Sequence, residues 1–132
     1  MHLSSATAML AAARTEAERL GVTVCVSIVD AAAWPVAFIR MEGTILGAID
    51  VSNRKARTAA LFQMDSSDFA RIACPGGDAY SLENTNGGLT SFGGGVVLKS
   101  GDGTFLGAIG VSGASTEDDI AIARVAATAL AA

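Results

Sequence analysis

Few residues in this chain are of types that do chemistry, and their spacing narrows what they can do. The stretch "SNRKART" sets Arg54, Lys55 and Arg57 within one helical turn, and Arg40 projects from a predicted strand. Lys55, with Ala59 four residues on, reads as inward-facing, where a desolvated amine binds a carboxylate or serves as a base of lowered pKa. Arg54 and Arg57 read as a solvated basic face whose stems cover apolar surface. Glu83 stands alone as a candidate acid or base. The run "FGGGV" brings Gly93, Gly94 and Gly95 to the start of a strand, and Gly113 precedes the last helix; backbone N–H groups at both places are candidates for holding an anion. The candidate catalytic residues are therefore Lys55 and Glu83. The candidate ligand-binding residues are Arg40, Lys55, Gly93, Gly94, Gly95 and Gly113, with no metal set.

Several chemistries lack their residues. The single histidine is His2, too near the end of the chain to be held as the base of a Ser-His-Asp or Cys-His device. Cys25 and Cys74 are far apart and no CxxC occurs, so neither a zinc site nor a disulfide framework is expected. The expectation is two small buried thiols in a reducing cytoplasm. No GxxxxGK[ST] is present, and "GGGVVLKSG" runs into a strand and turn rather than opening a helix, so the glycines are neither a P-loop nor a dinucleotide fingerprint.

The elements that must position these residues are legible in the pattern. Leu3, Ala6, Leu10, Ala13, Ala17 and Leu20 repeat at steps of three and four, one face of a helix that Gly21 stops and Ser4 or Ser5 caps. "VTVCVSIVD" from Val22 to Asp30 is apolar on both faces, as an interior strand is, and pairs as a hairpin with Pro35 to Met41. Asp50 to Met64 reads as a second helix, capped by Asp50 or Ser52, that buries Ala56, Ala59, Ala60 and Leu61. Gln63 to Leu89 is irregular, a length that in a compact domain is functional or carries short helices. Val96 to Lys99 and Thr104 to Val111, joined by "SGDG", form a second hairpin. "ASTEDDIAIARVAATALAA" closes as a helix capped by Ser115 or Thr116, with Glu117, Asp118 and Asp119 complementing its dipole. "LGAIDVS" (Leu46 to Ser52) recurs as "LGAIGVS" (Leu106 to Ser112), but two copies do not make a repeat architecture.

At 132 residues this is one domain, residues 1–132. Its 51% hydrophobic and 17% charged content points to a homo-oligomer that hides some surface against its own copies. A net charge of −4 argues against nucleic acid as a partner, and no apolar stretch is long enough to cross a membrane. The N-terminal stretch reads as mature helix rather than signal peptide, so the expected location is cytoplasmic.

The set "NRKARTAALF", "PGG", "NGG…FGGGVVL" and "GTFLGAIGVSGASTEDDIAIA", with "GVTVCVSIVDAAAWPVAFIRMEG" before it, resembles the GlcG/HbpS (haem-degrading domain) family over nearly the whole chain. The resemblance implies an α/β (α+β) single domain, an antiparallel sheet flanked by helices as in profilin-like or sensor-type folds, and homo-oligomers. It also implies haem or another tetrapyrrole as ligand, although this chain lacks an internal histidine for the iron. Two readings follow. In the first, the protein binds a small carboxylate-bearing ligand, haem among the candidates, through Arg40 and Lys55. In the second, it is a small cofactor-independent isomerase or tautomerase of an organic acid in a catabolic pathway: Lys55 holds the carboxylate, Glu83 moves the proton and glycine N–H groups steady the oxyanion.

Overall fold

A computed structural model describes residues 1–130. The order is α1 (Leu3–Leu20), β1 (Cys25–Asp30), β2 (Pro35–Arg40), α2 (Gly47–Phe62), α3 (Ser66–Ala73), a 3-10 turn (Leu82–Asn84), β3 (Gly95–Lys99), β4 (Phe105–Ser112) and α4 (Thr116–Ala127). The two hairpins join into one antiparallel sheet ordered β2-β1-β4-β3. This is the expected antiparallel sheet flanked by helices. α1 and α4 cover one face and α2 the other, with α3 beside α2 and the edge of β3.

Alternation along the strands sorts the core into two layers. Val24, Val26, Ile28, Val96, Leu98, Ile109 and Val111 point to α1 and α4, meeting Met9, Ala13, Ala17, Ile122 and Ala126. The other face carries Val29 and Ala108 against Ala56, Ala59 and Ala60 of α2. Those side chains are small, so α2 lies low on the sheet. A Cβ on Gly110 would stand 2.6 Å from the backbone nitrogen of Ala56 and inside contact distance of the Ser52 carbonyl oxygen. On the α2 face the Ser27 and Ser52 hydroxyls share a buried hydrogen bond of 2.8 Å.

Local expectations hold unevenly. α1 begins and ends where its periodicity places it, with Gly21 left-handed at φ 72°. Its N-cap, however, is His2 without a side-chain bond, because Ser5 faces the interior. α2 starts at Gly47, three residues before the predicted cap: Asp50 pairs instead with Arg54 at 2.7 Å, and Ser52 bonds back to the Ile49 carbonyl at 3.0 Å. Leu61 is exposed rather than buried, since it borders the open hollow between α2 and the turn that joins β1 to β2. The irregular stretch holds α3 and the 3-10 turn. Ser115 caps α4 as read, accepting from the Asp118 N–H at 3.1 Å; the last two residues of the predicted helix lie outside the described ones. Both cysteines are free, Cys25 buried and Cys74 half-buried.

The start of α3 closes one sheet edge. The Ser66 hydroxyl accepts from the Gly95 N–H at 2.8 Å, and Asp65 accepts from the Val97 N–H at 3.0 Å. Two outward-facing N–H groups of β3 thus end on side chains instead of standing open.

Candidate functional site

Lys55 does turn inward, and the chain itself occupies it. Its ammonium, 0% exposed, donates to the Val111 carbonyl at 2.8 Å and to Asp119 Oδ2 at 3.0 Å, with the Phe92 ring 4.9 Å away. The other oxygen of Asp119 accepts from the Ala114 N–H at 3.0 Å. Burial pulls the Lys55 pKa down while Asp119 pulls it up; burial also raises the Asp119 pKa against the opposing effect of Lys55. The pair bolts α2 to β4 and α4. An acid–base role for Lys55 on a substrate would require this pair to open.

Gly94 and Gly95 are where the backbone passes Lys55. A Cβ on Gly94 would come within 2.7 Å of the Lys55 ammonium, and one on Gly95 would strike the Lys55 backbone. One on Gly93 would strike Ile120 of α4, and one on Gly113 would stand 2.9 Å from the Thr23 carbonyl oxygen. Gly93, Gly94 and Gly95 admit close packing of α2 and α4, and Gly113 the close approach of the segment before β1. The Gly95 N–H is already given to Ser66, and Asp119 supplies the anion at the start of α4. Glu83 sits half-buried on the 3-10 turn and accepts from the Ser91 hydroxyl. Arg54 and Arg57 are less solvated than the spacing implies: Arg54 donates to the Gly87 carbonyl at 2.7 Å and Arg57 to the Asn86 carbonyl at 3.0 Å, holding the loop that follows Glu83.

Arg40 stands elsewhere, exposed at the end of β2. It lines a cleft of about 400 Å³ with Ile39, Met41 and Glu42, and with Arg14 and Glu18 of α1. Arg14 is tied to Glu18 at 2.9 Å, while Arg40 takes part in none of the ion pairs among the described residues. Ile39 and Met41 pack against the main core and give the cleft an apolar floor. Of the six residues nominated from sequence for ligand binding, the structure gathers Lys55, Gly94 and Gly95 in one buried cluster and leaves Arg40 apart in this open cleft.

Sequence reasoning missed Arg14 and Met41 in the cleft, and Asp119 as the partner of Lys55. Asp119 carried a signal: it shares a helical stripe with Ile122, Ala123 and Ala126, all buried, so one of three successive acids had to face inward. Arg14 carried none, because its place depends on how α1 crosses β2.

The model of the family described as "Haem degrading protein HbpS-like" matches residues 1–128. The chain belongs to the HbpS-like family. Within that family it is 36% identical over 120 residues to the corrinoid adenosyltransferase PduO of Salmonella typhimurium, covering 90% of this chain but 35% of PduO, so it spans about a third of that relative's length. It is 34% identical over 107 residues to the protein GlcG of Escherichia coli, covering 81% of this chain and 77% of GlcG. Among solved structures, a PduOC:haem complex superposes with a TM-score of 0.92 at 33% identity, covering 98% of this chain and 94% of that one. The HbpS-like fold thus extends over the described elements, with the cleft at Arg40 on the α1 side of the sheet's β2 edge.

Proposed function

We propose that this HbpS-like chain is a binding module for a small, largely apolar molecule that carries carboxylates, held in the cleft between α1 and β2. One observation carries the reading: Arg14 and Arg40, from two different elements, line one cleft over the apolar floor of Ile39 and Met41. A cleft of about 400 Å³ falls in the range that small-molecule sites occupy. Guanidinium groups take carboxylates through charge-assisted, often bidentate hydrogen bonds. Glu18 and Glu42 at the rim disfavour ligands of high negative charge.

Haem, the ligand of the PduOC complex, is the candidate that this family supports. The cleft's donor set accommodates it. Arg14 and Arg40 border the cleft and carry the positive charge that two propionates call for, and Ile39 with the Met41 stem would meet an apolar ring. Met41 supplies the one soft donor among the six lining residues; the only histidine, His2, lies exposed ahead of α1, and Cys25 is sealed in β1. When bound, haem would bring a redox-active iron whose potential a thioether ligand raises. The chain's own part is to hold the carboxylates and keep water from one face of the ring.

Titration of the protein with haemin, followed by the Soret band, tests the reading. A saturable shift that weakens about tenfold or more in Arg40→Ala and loses its thioether signature in Met41→Ala is the expected result. No saturable shift with haemin, together with no binding of simpler apolar carboxylic acids by calorimetry, would refute it.

A further inference from the structure

The loop that Arg54 and Arg57 hold contains the chain's one Asn-Gly step, Asn86–Gly87. Asn86 is exposed and left-handed at φ 55°, a conformation that asparagine tolerates in turns, and Gly87 follows at φ 75°. The Gly87 N–H donates to no group among the described residues, whereas those of Gly88 and Leu89 donate to the Thr85 and Glu83 carbonyls, each at 2.9 Å. Beyond its chain neighbours, nothing lies within 4 Å of where a Gly87 Cβ would stand, so the nitrogen is unshielded. The other two asparagines lack this setting: Asn53 precedes Arg54 inside α2, and Asn84 precedes Thr85.

Arg57 engages the carbonyl of that same peptide group: its Nη2 donates to the Asn86 oxygen at 3.0 Å. When a peptide N–H loses its proton, the negative charge spreads onto the oxygen of its own peptide group. A guanidinium donor on that oxygen favours the anion over the neutral amide, because a hydrogen bond to the charged form is the stronger one. A donor already in place where charge develops also lowers the barrier to the step that makes the charge. Arg57 takes part in none of the ion pairs among the described residues, so no carboxylate there neutralises it. Arg54 meanwhile fixes the next two carbonyls, those of Gly87 at 2.7 Å and Gly88 at 3.1 Å. The attack described next needs Asn86 to turn about ψ, which an exposed loop with two glycines allows and the long Arg57 stem can follow.

We propose that Asn86–Gly87 is a self-modification site, at which Arg57 assists the Gly87 nitrogen in converting Asn86 to aspartyl and isoaspartyl forms. The deprotonated Gly87 nitrogen bonds to the side-chain carbonyl carbon of Asn86. The bond from that carbon to the amide nitrogen breaks, and the nitrogen leaves as ammonia with the proton that Gly87 gave up. Water then opens the resulting five-membered imide at one carbonyl or the other, and no electrons are exchanged with any cofactor. The aspartyl product sets a new carboxylate beside Arg57. The isoaspartyl product adds a methylene to the backbone and carries the Gly87 carbonyl away from Arg54. The loop shares no residue with the Arg40 cleft, so haemin binding stands or falls separately.

Mass spectrometry of tryptic digests, taken over days of incubation at mildly alkaline pH, tests the proposal. Ammonia release is a second measure, Asn86→Asp supplies the aspartyl standard, and circular dichroism confirms that each variant is folded. Asn86 should convert, faster as pH rises, while Asn53 and Asn84 remain amides. Arg57→Gln should slow the conversion about threefold or more, and Arg57→Lys, which keeps the charge without the planar fork, should slow it less. An Asn86 that stays an amide would overturn the proposal. So would conversion in Arg57→Gln at the wild-type rate or above it, since an arginine that merely restrains the loop would speed the reaction when removed.

Discussion

Replacing Lys55 with methionine keeps most of the stem's volume and removes one charge. What is lost is the bond to the Val111 carbonyl (2.8 Å), the bond to Asp119 (3.0 Å) and the cation over the Phe92 ring. What is left is worse: a carboxylate that is 2% exposed, with the Ala114 N–H as its remaining partner. Breaking a buried pair by deleting one member costs about 3–5 kcal/mol. For a domain of this size that lowers Tm by roughly 10–20 °C. The loss should depend on pH in a definite sense. Burial already raises the pKa of Asp119 while Lys55 opposes the rise, so removing Lys55 raises it further. A carboxyl whose folded pKa lies above its unfolded value contributes stability at low pH and loses it as pH rises through the folded pKa. The deficit of Lys55→Met should therefore shrink between neutral pH and about pH 4.5. Lys55→Met combined with Asp119→Asn removes both charges and keeps an acceptor for Ala114, so it should recover most of the loss. Thermal and urea melts of the two single variants and the double one, at both pH values, supply the cycle. Additive losses, with a coupling below about 0.5 kcal/mol, or a deficit that ignores pH, would refute the argument.

Two further outcomes test the fold. Gly110→Ala drives a methyl group into the backbone of α2 and should cost at least the upper end of the roughly 1–3 kcal/mol typical of overpacking, whereas Gly101→Ala, with nothing within 4 Å, should melt like the wild type. Asp102, fully exposed on the β3–β4 turn, is held down to about 2 by hydrogen bonds from the Ser100 hydroxyl and from the hydroxyl and N–H of Thr104. NMR titration should find it there, and should find it nearer the ordinary carboxylate range in a Ser100→Ala/Thr104→Ala variant; its support of the turn is present above its unfolded pKa and lost as pH falls through about 2.

Most of the fold was legible because its signals are local and periodic: the three-and-four spacing of α1, the doubly apolar β1, the "SGDG" turn, the Ser115 cap. What was not legible depends on contacts distant in sequence. "LGAIDVS" and "LGAIGVS" differ at one position, yet the first lies in the approach to and opening turns of α2, while the second is strand β4. Local preference did not decide between them; tertiary packing did. The differing residue, Gly110 in place of Asp50, is where the two copies touch, since Ser52 of the first lies on Gly110 of the second. Lys55 was legible as an inward lysine from its alanine neighbours, but its partner was sixty-four residues away. The cleft was half legible: Arg40 could be nominated from its strand, while Arg14 looked like any solvent-facing helix residue.

The side chains of Asp65 and Ser66 that occupy two N–H groups of β3 limit what the sheet can become. A filament built by adding strand to strand needs a free edge at both ends of every unit. With two outward N–H groups of β3 already taken, the freer edge of this sheet is β2, which itself begins with a proline that cannot donate. Strand-to-strand contact can therefore join two such sheets and then stop, because each copy has spent its open edge. A chain half of whose residues are hydrophobic stays clear of endless growth through a serine and an aspartate at the mouth of an eight-residue helix.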